Sequence, residues 1–95
     1  MAQYAIFDVT ITDLEKYKDY MSKVKPVIEA AGGRYLVRGG THEVLEGDWK
    51  PTRLVVLEFP SAEAARSFYQ SPAYRDLKAL RESCSHANLV TVEGA

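Results

Sequence analysis

From Tyr4 to Ile11 the chain alternates: Ala5, Phe7, Val9 and Ile11 form a wholly apolar set, while Tyr4, Ile6, Asp8 and Thr10 form a mixed one. A period of two predicts a strand whose apolar side meets helices and whose mixed side suits a second, partly polar interface. Thr12 and Glu15 then make the T-x-x-E capping box that opens a helix. Leu14, Tyr17, Met21, Val24, Ile28 and Ala31 recur at spacings of three and four, the buried stripe of that helix. Pro26 lies inside the pattern and removes one backbone donor, which predicts a kink. Gly32-Gly33 supplies the helix stop.

Arg34 to Arg38 reads as a short strand with Arg34, Leu36 and Arg38 on one face and Tyr35 and Val37 on the other. Gly39-Gly40 lets the backbone bend or bulge, Thr41 to Glu46 extends the strand, and Gly47-Asp48-Trp49-Lys50-Pro51 is a turn. Arg53 to Phe59 is the strongest strand, and Pro60-Ser61 ends it and caps a helix over Ser61 to Tyr69. Ser71-Pro72 restarts the helix, with serine at the cap and proline in the first turn. Ala73, Leu77, Leu80 and Cys84 carry its stripe, and Leu89 to Val92 is the last strand.

The order β-α-β-β-(αα)-β predicts an α+β, ferredoxin-like fold: a four-stranded antiparallel sheet with its helices on one face. The other face is left bare, with Tyr4, Ile6, Leu36, Leu54, Val56 and Leu89 as its apolar members and Asp8, Arg38 and Glu58 interrupting them. A bare apolar face of that size marks an interaction surface, and two sheets packed about a two-fold axis would cover it. The expected partner is a second copy of the chain, with pairing of dimers through helix faces or sheet edges left open.

Ninety-five residues make a single domain, 1–95. A net charge of -1 gives no drive toward a phosphate backbone or an anionic membrane. No apolar run approaches the roughly 20 residues that span a bilayer. Met1-Ala2-Gln3-Tyr4 lacks a basic region followed by an apolar stretch, so no secretory signal is read there. Cys84 is the single cysteine; it forms no internal disulfide and fits a reducing compartment, so the expected location is the cytoplasm.

Several motifs together suggest a family. Gly32-Gly33-Arg34-Tyr35-Leu36-Val37-Arg38-Gly39-Gly40 is followed by Glu46-Gly47-Asp48-Trp49-Lys50-Pro51-Thr52-Arg53, then Glu58-Phe59-Pro60-Ser61, Ser71-Pro72-Ala73-Tyr74 and Val92-Glu93-Gly94. The chain resembles, over nearly its whole length, the family known as domain of unknown function 1330. The resemblance implies a dimeric α/β barrel, in which ferredoxin-like subunits pair sheet to sheet. It implies no reaction, because relatives across that superfamily include cofactor-free monooxygenases, lactone isomerases, haem enzymes and plain ligand-binding modules.

Among candidate sites, side-chain parity puts Asp8, Arg38 and Glu58 together on the bare face. A shielded carboxylate pair beside an arginine would perform acid–base chemistry, with Asp8 or Glu58 as general base and Arg38 as the anion anchor; the competing reading is an ion-pair network that fixes dimer register. A second candidate is an anion pocket of Arg34, Arg53 and Arg81, weighed against solvated arginines paired with Glu46 and Asp48. Trp49 and Tyr74 would shape a pocket, whereas aromatics at such spacings more commonly pack. His42, Cys84 and His86 do not have the spacing of a closed metal site, so neither metal nor cofactor is expected. Thr52 to Phe59 is aliphatic where an RNA-recognition strand needs stacking aromatics, so nucleic acid is not an expected partner. The reading is therefore a homodimer binding a small organic molecule, anionic in one form of the reading, with or without cofactor-free acid–base chemistry. The alternative is a non-catalytic structural or regulatory homodimer whose inner charges set pairing.

Overall fold

β1 (Gln3–Ile11) leads through α1 (Leu14–Ala30) to β2 (Arg34–Arg38) and β3 (Leu54–Phe59). α2 (Ala62–Gln70) and α3 (Pro72–Cys84) follow, and β4 (Ser85–Glu93) closes the chain in this computed structural model, which describes Met1–Ala95. The strands form one antiparallel sheet in the order β2-β3-β1-β4. The fold is thus α+β and ferredoxin-like in order, with its second helix split in two by the Ser71-Pro72 restart. At 35 × 33 × 17 Å the molecule is a slab one helix layer and one sheet thick. No helix is long and apolar enough to cross a membrane.

The alternation along β1 holds: Ala5, Phe7 and Val9 are buried under the helices with Val55, Leu57 and Phe59 of β3. The helix starts differ in part. Ser61 and Ser71 cap as expected, accepting from Ala64 N and Tyr74 N. The first helix is capped by Asp13, whose carboxylate accepts from Lys16 N at 3.2 Å, not by Thr12 with Glu15. Thr12 is still tied to the sheet, because its N–H donates to Cys84 O at 2.8 Å. Glu15 instead lies 3.8 Å from Lys18 at the surface. The buried stripe of α1 is Tyr17, Tyr20, Val24 and Ile28, with Met21 and Ala31 half-buried and Leu14 exposed. Pro26 sits within α1, which continues to Ala30. Gly32, at φ +83°, makes the left-handed turn that ends it.

Three further expectations change. Thr41 to Glu46 forms no strand: Gly39 turns the chain at φ +71° and the segment after it pairs with nothing. β4 is nine residues long rather than four, because it pairs with β1 along its whole length, from Gln3↔Glu93 to Ile11↔Ser85. Leu89 consequently lies opposite Phe7 on the helix side, and Val90 and Val92 take its place on the open face.

The open face has an ordered composition. A row of Val37, Val56, Ile6 and Val90 runs across all four strands, since these residues pair in that sequence. The adjacent rows are polar at intervals, with Arg34, Glu58, Tyr4 and Val92 on one side and Leu54, Asp8 and Asn88 on the other. Val90 is 59% exposed and Val92 48%, more than an apolar strand residue meets in a covered sheet.

Candidate functional site

The placement of the expected site residues turns on one extra residue in β2. Tyr35 pairs with Leu57 and Val37 with Val56, which leaves Leu36 bulged between them. Past the bulge every side chain changes face. Arg38, opposite Val55, lies on the helix side with Tyr35 and not on the open face with Asp8 and Glu58. Its guanidinium stacks over the Tyr35 ring at 4.5 Å and donates to Met21 O of α1 at 3.3 Å.

Asp8 and Glu58 do share the open face but do not meet. Glu58 is opposite Tyr4 and Asp8 opposite Leu54, so the two are four strand positions apart, about 13 Å at the usual rise. Each is otherwise engaged. Glu58 binds Arg34 Nε at 2.7 Å, an ion pair whose arginine is largely in water and adds little stability. Asp8 accepts from Trp49 Nε1 and from Thr52 N, both at 2.9 Å, which folds the loop after β2 back over β1. Arg34 is therefore not part of an anion pocket with Arg53 and Arg81.

The hydrogen bond from Trp49, with that from Thr52 N second, holds the Asp8 carboxyl below its ordinary value of 3.8. A depressed folded-state value means the contribution of Asp8 is complete above the ordinary carboxylate value and is lost as pH falls through the folded value. Trp49 is the single tryptophan, so its fluorescence follows this contact with no other indole contributing. Emission is expected to stay constant from pH 8 to 5 and to shift below about pH 4; Asp8→Asn should abolish the acid step, and an unchanged acid step in that variant would refute the assignment.

On the helix side the residues converge. A narrow cleft between the sheet and α1 and α3 is lined by thirteen residues, ten of them hydrophobic; the other three are Arg38, Arg53 and Arg81. No carboxylate or histidine is among them. The three guanidinium groups descend from surface to core: Arg38 is exposed, Arg53 half-buried and Arg81 only 6% exposed. Arg53 lies 5.6 Å from the Tyr17 ring centre and donates to Met21 Sδ at 3.4 Å, a weak acceptor. Arg81 faces the Phe7 ring at 5.5 Å. Arg53 Nε and Arg81 Nε and Nη1 are buried without any hydrogen-bond partner.

The base of this region is closed by a phenol pair. Tyr20 lines the cleft and its hydroxyl lies 3.1 Å from that of Tyr74, which is fully buried against Phe68 and Tyr69. Burial pushes both phenols above their ordinary value of 10, so both stay neutral and neither offsets the arginine charge. Tyr74 thus supports the cleft from behind, whereas Trp49 is across the sheet; the two do not shape one pocket. Sequence reasoning missed Tyr20, although its spacing of three from Tyr17 and four to Val24 carried the signal. No group of three or more His, Cys, Asp or Glu side chains is placed to hold a metal ion. Cys84 is buried, and burial raises its thiol.

Comparison with known proteins agrees with the fold. A structure of a protein of unknown function from Rhodopseudomonas palustris superposes with a TM-score of 0.81 at 20% identity, over 99% of this chain and 82% of that one. A dimeric ferredoxin-like protein of unknown function from Jannaschia sp. CCS1 gives 0.69 at 12% identity, over 99% and 100%. SnoaB, a cofactor-independent oxygenase from Streptomyces nogalater, gives 0.62 at 9% identity, over 99% and 91%. At these identities the likeness is one of fold alone. No curated protein matches the sequence. The model of one family, Domain of unknown function (DUF1330), matches residues 2–95, and the chain belongs to that family.

Proposed function

We propose that the protein is a homodimer, paired through its open sheet face, that binds a small organic anion in the cleft between sheet and helices, one site per subunit. The observation that carries this is Arg81. A guanidinium is always charged, and a buried charge is costly unless it is paired and hydrogen-bonded. With two of its nitrogens buried and unpartnered beside Arg53 and Arg38, and no acid in the lining, the cleft is short of negative charge. An anion supplies it, and the planar fork suits a carboxylate or phosphate.

Binding is better supported than catalysis. Asp8 and Glu58, the candidate general bases, are on the far side of the sheet from Arg38, Arg53 and Arg81, so the cleft itself holds no strong base. The dimer is supported by the aliphatic row on the open face and by the dimeric relative from Jannaschia sp. CCS1. In such a dimer the Asp8–Trp49 and Arg34–Glu58 contacts flank the apolar row and help set pairing. The lone thiol of Cys84 is in keeping with a cytoplasmic setting.

Calorimetry with benzoate and its neutral isostere benzamide tests the reading. A charge-assisted bond contributes about 1.5–3 kcal/mol, so benzoate is expected to bind about 10- to 100-fold more tightly; equal affinity for the two would reject it. Gly39 gives a second check. A Cβ there would meet the Arg53 guanidinium, and the backbone is at φ +71°. Gly39→Ala is expected to cost about 1–2 kcal/mol of stability and, by pushing the Arg53 fork from its seat, to weaken benzoate, with Arg53→Met weakening it further. Melting curves and the same calorimetry measure both effects, and wild-type affinity in Arg53→Met would exclude Arg53 from the site.

A further inference from the structure

The apolar side of β1 begins with a polar residue. Gln3 is in phase with Ala5, Phe7 and Val9, so its side chain points toward the helices, and it is only 9% exposed. Buried amides are normally hydrogen-bonded, yet nothing in the protein bonds the side chain of Gln3. Its nitrogen and oxygen are not among the unpartnered atoms sealed in the core. Gln3 instead lines a groove of about 360 Å³ between α2 and the strands β1 and β4. The groove exists because α2 meets the sheet there through small side chains, Ala62 and Ala65 against Ala5. Ala5, Phe59, Ala65 and Leu89 give it an apolar floor, and eight of its eleven lining residues are hydrophobic. An apolar hollow of this volume with a few convergent polar groups is the usual form of a small-molecule site.

The groove is a space of its own. Phe7 and Phe68, both buried, wall it off from the arginine cleft. It lies on the helix side, so a dimer paired through the other sheet face leaves it open. Its polar groups are mostly neutral: no carboxylate lines it, and its one cation, Arg66, is exposed. Thr91, opposite Ala5, is the diagonal neighbour of Gln3 on the same face, a placement that sets Cα atoms about 7–8 Å apart. An amide side chain offers an acceptor and a donor side by side. A second amide held in the cis form satisfies both at once, its N–H donating to Gln3 Oε1 and its carbonyl accepting from Gln3 Nε2. A carboxylate only accepts and would leave Oε1 unmatched. We propose that the groove is a binding site for a neutral cyclic amide fused to an apolar ring, paired edge to edge with Gln3. The ring lies on the apolar floor and Thr91 stands beside the polar edge. This site is independent of the anion cleft.

The test titrates 2-quinolone and N-methyl-2-quinolone, which lacks the N–H donor, by calorimetry into the wild type, Gln3→Leu and Ala62→Leu. The wild type is expected to prefer 2-quinolone about tenfold, the worth of the lost donor. Gln3→Leu keeps the side-chain volume and the apolar surroundings, and should bind the two compounds equally. Ala62 is at the exposed start of α2, so a leucine there narrows the groove without entering the core and should weaken both ligands. Thr91→Trp narrows it from β4 and serves if Ala62→Leu does not fold. Equal affinities in the wild type, a preference that survives Gln3→Leu, or no binding of 2-quinolone would each overturn the proposal. Tighter binding of 2-naphthoate than of 2-quinolone, lost in Arg66→Met, would make the groove an anion site and overturn it as well. Displacement of 2-quinolone by benzoate would put both ligands in one place, with the same consequence. Failure of benzoate to bind at all would remove the anion reading of the cleft and, with 2-quinolone bound as expected, support the groove as a separate site.

Discussion

Arg81→Met is expected to raise the melting temperature and to weaken benzoate binding about 10- to 100-fold in the same protein. The gain in stability follows from what Arg81 lacks: two buried nitrogens have no partner, and no acidic side chain lines the cleft around them. An unsatisfied buried polar group costs about 1–3 kcal/mol, more when charged. The loss is the cation–π contact with Phe7, which contributes about 1–2 kcal/mol when desolvated. Methionine keeps an apolar stem of similar reach and leaves no void of consequence. The net gain is about 1 kcal/mol, or about 4–8 °C in a domain of this size. A residue that weakens the fold and is needed for binding is what a functional site looks like. A drop of more than about 2 kcal/mol with benzoate affinity intact would show instead that Arg81 serves packing.

Ile6→Lys is expected to turn the proposed sheet-to-sheet dimer into monomers without unfolding them. Ile6 occupies the middle of the aliphatic row, paired with Val56 on one side and Val90 on the other. Its side chain points away from the core built by Ala5, Phe7 and Val9, so the subunit has little to lose. In a sheet-to-sheet dimer a lysine there is buried without a partner, and two-fold symmetry brings two of them. At several kcal/mol for each charge, dissociation should become easier by about a thousandfold or more. Sedimentation at micromolar concentration reads the mass. Because the cleft is on the opposite face, benzoate should still bind the monomer. An Ile6→Lys variant that stays dimeric would move the interface off this face.

The element order was legible because its signals are local. Alternation in β1 and β3, the Ser61 and Ser71 caps and the Gly32 stop each work within a few residues, and the structure uses all of them. What was hidden depends on partners distant in sequence. His86, Ala87 and Asn88 have weak strand character, yet they extend β4 because β1 offers an edge of matching length. The cap is Asp13 and not Thr12, where the chain is tied to Cys84 O by the amides of both residues. The candidate site was half legible for the same reason. Arg53 and Arg81 were grouped from their chemistry together with Arg34, which lies on the open face with Glu58, and Arg38 was assigned by parity, which carries only as far as the next bulge. The bulge is at Leu36, not at the Gly39-Gly40 pair that advertises one. That single residue separates Arg38 from Asp8 and Glu58 and joins it to the other two arginines.

The most direct test is an NMR titration that watches the arginine Nε–H resonances while benzoate is added. Saturable shifts are expected at Arg81 and Arg53, with Arg38 following at the mouth of the cleft and Arg34 still. Shifts confined to exposed arginines such as Arg34, Arg66 and Arg75, or none at all, would contradict binding in the cleft.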